Sequence, residues 1–331
     1  MYDHRKSMLL SSLDGKIWPF FSAAVRVTIS SFRFWVLNMF QGSITALITP
    51  FKNGAVDEDI VVSLAQRQIE AGTHGLVPCG TTGESATLTF DEHMRVIELV
   101  VATAKDLIPV IAGTGSNNTT VAIQNQARAA ELGADAGLVV APYYNKPNAE
   151  GLFQHFKAIN DAVDLPIIVY NVPGRTVIDM DAETVARIAD LEHVVGIKDA
   201  TGDLTRVPQH RRLIGEEFIQ LSGDDPTGLG FNATGGQGMI SVTSNVAPEL
   251  CSRFQDAMML NDWETARQLN DRLMPLHQAL FTAPSPGPSK YGMSLLGVTN
   301  SEMRLPLTEP DDVSCQRVRA AMIIAGLLDP S

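Results

Sequence analysis

Lys198 stands in the middle of "VVGIKDATGD" (194–203), where Val194, Val195, Gly196 and Ile197 read as a buried strand. An ammonium group at the inner end of such a strand is costly unless it is paired or neutral. Two chemistries fit. Either Lys198 is bridged to Asp199 or another carboxylate, or it is a desolvated amine of lowered pKa that attacks a carbonyl to form a Schiff base. An ordinary lysine is almost wholly protonated at pH 7, and each ~1.4 kcal/mol of bias against the charged form frees about ten times more nucleophile. The other seven of the eight lysines fall in segments that read as solvated.

Partners for such an amine are present. Tyr170 closes an apolar run in "YNVPGRT" (170–176). Directed inward, its phenol can move protons as a carbinolamine forms and collapses; directed outward, it packs a strand end. In "GTTGES" (80–85), Thr81 and Thr82 lie among glycines. Such a loop either presents backbone N–H groups to a carboxylate or is an ordinary turn. Arg175 is a fork for a carboxylate or a solvated loop cation. Tyr143 and Tyr144, two of five tyrosines, are adjacent in "PYYNKP" (142–147) and so project in different directions.

Other motifs fail. "GTGSNN" (113–118) places Asn118 where a dinucleotide fingerprint needs glycine, and "FNATGGQG" (231–238) lacks a Walker lysine. "SGDD" (222–225) has no histidine beside it and reads as capping and turn residues rather than metal ligands. There is no HExxH and no GxSxG nucleophile elbow. No metal and no cofactor are expected.

These residues need elements to hold them. Eight short apolar runs, "SITALITP", "GLVPCG", "PVIAGTG", "AGLVVAP", "PIIVYN", "VVGIKD", "FIQLSGDD" and "GMISV", alternate with amphipathic segments. Residues 57–72, 89–106 and 119–133 show apolar positions at three- and four-residue steps, the first with an acidic start and the last closed by Gly133. Mostly apolar strands alternating with helices describe a parallel sheet covered on both faces. Eight such units point to an α/β fold, a (β/α)8 TIM barrel, over an open doubly wound sheet. The chemistry then belongs at the C-terminal ends of the strands, where "GTTGES", "PYYNKP", "YNVPGRT", "KDATGD" and "SGDD" all fall. After a helix at about 247–260, residues 262–282, 288–297 and 312–328 look helical. The expected division is therefore a barrel over 39–260 and a C-terminal helical appendage over 261–331.

The chain's net charge of −12 argues against a nucleic-acid partner or an anionic membrane surface. Three scattered cysteines without CxxC fit a reducing, cytoplasmic setting. The first 38 residues carry +3 and are rich in Ser and aromatics without a sustained period. They read as an extension outside the fold, from an upstream start codon or as a targeting segment.

"GTTGESATL", "PYYNKP", "YNVPGRT", "GIKDATGD" and "LSGDD" together resemble the 4-hydroxy-tetrahydrodipicolinate synthase (dihydrodipicolinate synthase) family. That family lies in the superfamily of Schiff-base aldolases that includes N-acetylneuraminate lyase. The resemblance runs from about Met39 to the C-terminus. It implies a lyase of lysine biosynthesis that condenses pyruvate with L-aspartate 4-semialdehyde, built as a homotetramer. Lys198 then corresponds to the Schiff-base lysine, and Tyr170, Thr82 and Tyr144 to a proton relay, with Tyr144 reaching a neighbouring subunit. The amides of Thr81 and Thr82 would hold the pyruvate carboxylate, Arg175 would meet that of the semialdehyde, and Gly223 and Ile240 fall at substrate-binding positions. The rivals are a lyase for sialic acid or a 2-keto-3-deoxy sugar acid, a pyridoxal-phosphate lysine, and a non-catalytic binding barrel.

The resemblance also implies a regulatory cleft for lysine at Ser85, Ala86, His93, Asn117 and Tyr143. Two positions depart from lysine-regulated members: Phe90 replaces a histidine and Val121 a glutamate. Lysine's ammonium groups need acceptors when they leave water. Weak or absent inhibition by L-lysine is the expectation.

Overall fold

A computed structural model describes residues 39–330; the expected N-terminal extension lies outside the described residues. Each of the eight apolar runs contains a strand. They are β1 (Gly42–Ala46), β2 (Gly75–Val77), β3 (Ile111–Gly113), β4 (Ala136–Val140), β5 (Ile167–Asn171), β6 (Val194–Asp199), β7 (Ile219–Ser222) and β8 (Gly238–Ser241). Seven parallel ladders run in the order β2–β1–β8–β7–β6–β5–β4–β3. A parallel bridge between Leu76 and Val110 closes the ring, helped by Gly113 N–H donating to the Pro78 carbonyl at 2.9 Å. The barrel expectation holds. The "GLVPCG" strand stops at Val77 because Pro78 has no N–H to continue a ladder.

Alternation along each strand splits the apolar residues between two cores. Ile44, Val77, Ile111, Leu138, Ile168, Ile219, Leu221 and Ile240 fill the barrel interior. Val139, Ile167, Val169 and Ile197 face outward to Phe156, Ile159, Val185 and Ile188 on the surrounding helices. Continuous apolar runs follow from this two-sided burial.

The helices are α1 (Glu58–Glu70), α2 (Phe90–Ala104), α3 (Thr119–Leu132), α4 (Ala149–Ala162), α5 (Ala182–Ala189), α6 (Arg206–Ile214) and α7 (Gly228–Ala233). Beyond β8 come α8 (Pro248–Met259), α9 (Trp263–Ala279), α10 (Gly287–Leu295) and α11 (Asp312–Ile324). The Asp57 side chain caps α1, Thr89 and Glu92 form a capping box on α2, and Gly133 ends α3 at φ 88°. Leu250, Phe254, Leu269, Leu273, Leu276, Val318 and Met322 form one core that joins α8 to the C-terminal helices. Among the described residues no helix is long and apolar enough to cross a membrane.

One ribbon escaped the strand pattern. Phe51–Lys52 pairs with Ala55–Val56 around Asn53 (φ 54°) and Gly54 (φ 82°), the Asn-Gly turn typical of a two-residue hairpin.

Candidate active site

The register of the sheet brings Lys198 of β6 directly beside Tyr170 of β5. Both face the barrel interior, and Lys198 Nζ lies 4.3 Å from the centre of the Tyr170 ring. Lys198 is only 6% exposed. Burial pulls its pKa down from 10.5 to about 8; the positive charge of Arg175 adds to the fall and the Asp225 carboxylate opposes it. At pH 7 roughly a tenth of such amines are neutral, several-hundred-fold more than for an ordinary lysine.

The salt-bridge alternative fails for a geometric reason. Asp199, one residue on, points the other way. It accepts from Arg206 Nε at 2.9 Å and from the Thr201 backbone N–H at 2.9 Å. Among the described residues no carboxylate pairs with Lys198.

Asp225 is the residue that sequence reasoning undervalued. It is buried and accepts from the backbone N–H groups of Val242 (2.9 Å) and Thr243 (3.3 Å), and from the Ser241 hydroxyl. Its neighbour Asp224 has the expected turn role, accepting from Thr227 Oγ1 at 2.6 Å. Gly223, in the same loop, is required by close approach: a Cβ there would lie 2.8 Å from Lys198 Cε and from Ala200 Cβ. Ile240 is buried in the interior core.

Burial raises the pKa of the Tyr170 phenol, while the Arg175 charge and a hydrogen bond with the Thr81 side chain draw it back. The expected relay hydroxyl is that of Thr82, whereas the side chain that draws the Tyr170 pKa down is that of Thr81. Thr82 is buried next to it. Two successive turn bonds, Gly83 N–H to Gly80 O and Glu84 N–H to Thr81 O, both 3.1 Å, close the loop into a tight turn. Arg175 sits on a one-turn helix (Pro173–Thr176) immediately after β5, exposed at the rim.

Tyr144 is 88% exposed and holds a left-handed backbone, φ 70°, which is uncommon for an aromatic residue. Tyr143 is tied down instead: Asn117 Nδ2 donates to its carbonyl at 3.2 Å, and Asn145 Nδ2 returns to the Asn117 carbonyl at 2.9 Å.

The sequence profile of the Dihydrodipicolinate synthetase family matches residues 39–324. The chain belongs to that family. It is 60% identical over 291 residues to the 4-hydroxy-tetrahydrodipicolinate synthase of Parvibaculum lavamentivorans, covering 88% of this chain and 100% of the relative. The crystal structure of the chloride-inhibited dihydrodipicolinate synthase from Acinetobacter baumannii complexed with pyruvate is 43% identical. It superposes with a TM-score of 0.85 over 87% of this chain and 99% of that one. Dihydrodipicolinate synthase from Aquifex aeolicus has a TM-score of 0.85 at 42% identity, over 87% and 99% of the two chains.

The residues expected at a lysine cleft are placed as follows. Asn117 and Tyr143 are in contact, Ser85 and Ala86 share a one-turn helix, and buried His93 places Nε2 2.7 Å from the Gly113 carbonyl. Phe90 and Val121 are both exposed at their helix starts.

Proposed function

We propose that this chain condenses pyruvate with L-aspartate 4-semialdehyde to (4S)-4-hydroxy-2,3,4,5-tetrahydrodipicolinate, on the diaminopimelate route to lysine. The observation that carries the reading is Lys198, a buried amine of pKa about 8 beside a buried phenol, at the C-terminal end of a barrel strand. Membership of the family supports it, as does the pyruvate complex of the Acinetobacter relative.

Lys198 adds to the ketone of pyruvate, and loss of water leaves a protonated imine. That imine is the electron sink, so loss of a methyl proton gives an enamine whose carbon attacks the aldehyde. The amine of the second substrate then closes the ring and displaces Lys198. Thr81 and Tyr170 carry the protons, and the backbone N–H groups of Thr81 and Thr82 receive the pyruvate carboxylate. Gly223 leaves the lysine its space, and Ile240 lines the floor. The catalytic unit spans 39–260, with 261–331 as a helical appendage, in a cytoplasmic homotetramer. The exposure of Tyr144 suits a side chain donated to a neighbouring subunit's site.

A reductase-coupled assay with pyruvate and the semialdehyde tests the reaction. Turnover of a sialic acid or a 2-keto-3-deoxy sugar acid in its place would select the rival lyases. Arg175 separates the two half-reactions. Arg175→Ala should weaken use of the semialdehyde by roughly a hundredfold while pyruvate adduct formation changes by less than about fivefold. Equal damage to both would remove Arg175 from its place opposite the second substrate.

L-Lysine should inhibit weakly. Losing a carboxylate partner at Val121 costs a few kcal/mol, on the order of a hundredfold in affinity. A lysine titration at fixed substrates reads this directly, and half-inhibition below the millimolar range would contradict it. Val121→Glu, with Phe90→His, should shift the curve towards sensitivity.

A further inference from the structure

Lys290, expected to be solvated, is fully buried. Its Nζ lies 2.5 Å from Glu84 Oε1 and 2.8 Å from the Glu302 carbonyl. The other carboxylate oxygen of Glu84 accepts from the Arg304 backbone N–H at 3.2 Å. Both side chains of this ion pair are wholly shielded from solvent.

Such a pair is a poor device for stability alone, since a well-packed apolar pair often serves as well. Its position suggests another use. Glu84 ends the "GTTGE" turn in a left-handed conformation, φ 52°, and its N–H closes the turn onto the Thr81 carbonyl. Lys290 comes from α10, and Glu302 and Arg304 from the segment after it. Glu302 also accepts from the N–H groups of Asn53 (3.0 Å) and Gly54 (2.5 Å). The Arg304 guanidinium binds Glu92, the Thr87 carbonyl and the Gly54 carbonyl. Both cations also lie against the ring of buried Phe51, Lys290 Nζ at 4.3 Å and Arg304 Cζ at 4.5 Å from its centre. The C-terminal region thus grips the turn by its charged end, while Thr49 Oγ1 holds the Gly83 carbonyl from the barrel side at 2.7 Å.

We propose that Glu84 and Lys290 are positioning residues: their buried pair locks the Thr81–Gly83 turn to the C-terminal helices and so sets the geometry in which it receives pyruvate. This rests on the reading of that turn as the pyruvate carboxylate site. Neither residue touches substrate. Their effect reaches the reaction through the backbone of the turn and the Thr81 hydroxyl.

The test is the pyruvate concentration that gives half-maximal borohydride trapping on Lys198, measured beside thermal unfolding. Lys290→Met should raise it by roughly tenfold or more, with the semialdehyde KM at saturating pyruvate within about twofold of wild type. Glu84→Gln keeps an acceptor for Lys290 and should lose less. The double variant Glu84→Gln/Lys290→Met removes both charges. It should regain most of the thermal stability lost by Lys290→Met without regaining pyruvate affinity, and it carries the test if the single variant does not fold. A folded double variant with wild-type trapping overturns the proposal, as does a parallel loss for both substrates. Failure of the wild-type protein to be trapped by pyruvate overturns the reading of the site and the proposal with it; trapped wild type with an indifferent variant overturns the proposal alone.

Discussion

Pyruvate followed by borohydride should leave its adduct on Lys198 and on no other lysine, and Lys198→Met should lower turnover by roughly a thousandfold or more. Among the described residues no second buried amine stands ready: Lys290, the other buried lysine, is paired with Glu84. An adduct mapped to any other residue would end the assignment. The rate of trapping should climb with pH and level off above about 8, where burial and Arg175 hold the Lys198 pKa.

The same depression works against the fold. The folded-state value lies below the ordinary 10.5, so protonated Lys198 is destabilising. That penalty is fully present below about pH 8, shrinks as pH rises towards 10.5, and is absent above. It amounts to at most about 3 kcal/mol. Lys198→Met should therefore be inactive yet melt higher than wild type near neutral pH, with the gap closing in alkali. A variant that melts lower at pH 7 would mean that desolvation of the ammonium is not what the site stores.

What the sequence made legible follows from how far each signal travels along the chain. Buried strands announce themselves by continuous apolar runs, so all eight were found and Lys198 stood out as an interruption. Thr81, Thr82, Tyr170 and Arg175 stand out for a similar reason, because each sits at or just past the end of such a run, where a barrel places its chemistry. The direction of a side chain within a tight turn is not a local property. Thr81 and Thr82 are indistinguishable by type and neighbourhood, and only the folded loop sets which side chain acts on Tyr170. Lys290 was misread because its partner Glu84 is 206 residues away. Asp225 looked like a turn residue because the donors that bury it, Ser241, Val242 and Thr243, come from the next strand and its loop.

That difference between two adjacent threonines has a measurable consequence. A phenol is neutral at pH 7 and burial raises the Tyr170 pKa further, so in the proposed mechanism Tyr170 has a proton to give and must recover it after each transfer. In the proposed mechanism the Thr81 hydroxyl, whose side chain lowers the Tyr170 pKa, returns it. Tyr170→Phe and Thr81→Val should each lower kcat by roughly a hundredfold or more, within the usual range for a displaced proton carrier. Their effects should not multiply in the double variant, because the two groups act in one chain. Thr82→Val keeps its backbone N–H and leaves the Thr81–Tyr170 contact intact. It should lower kcat by less than about tenfold, with any larger change falling on the pyruvate KM. Steady-state kinetics on the three single variants and the Tyr170→Phe/Thr81→Val pair resolve the order. A Thr82→Val enzyme that loses more kcat than Thr81→Val would return the relay to Thr82 and show that the hydroxyl facing Tyr170 is a packing contact.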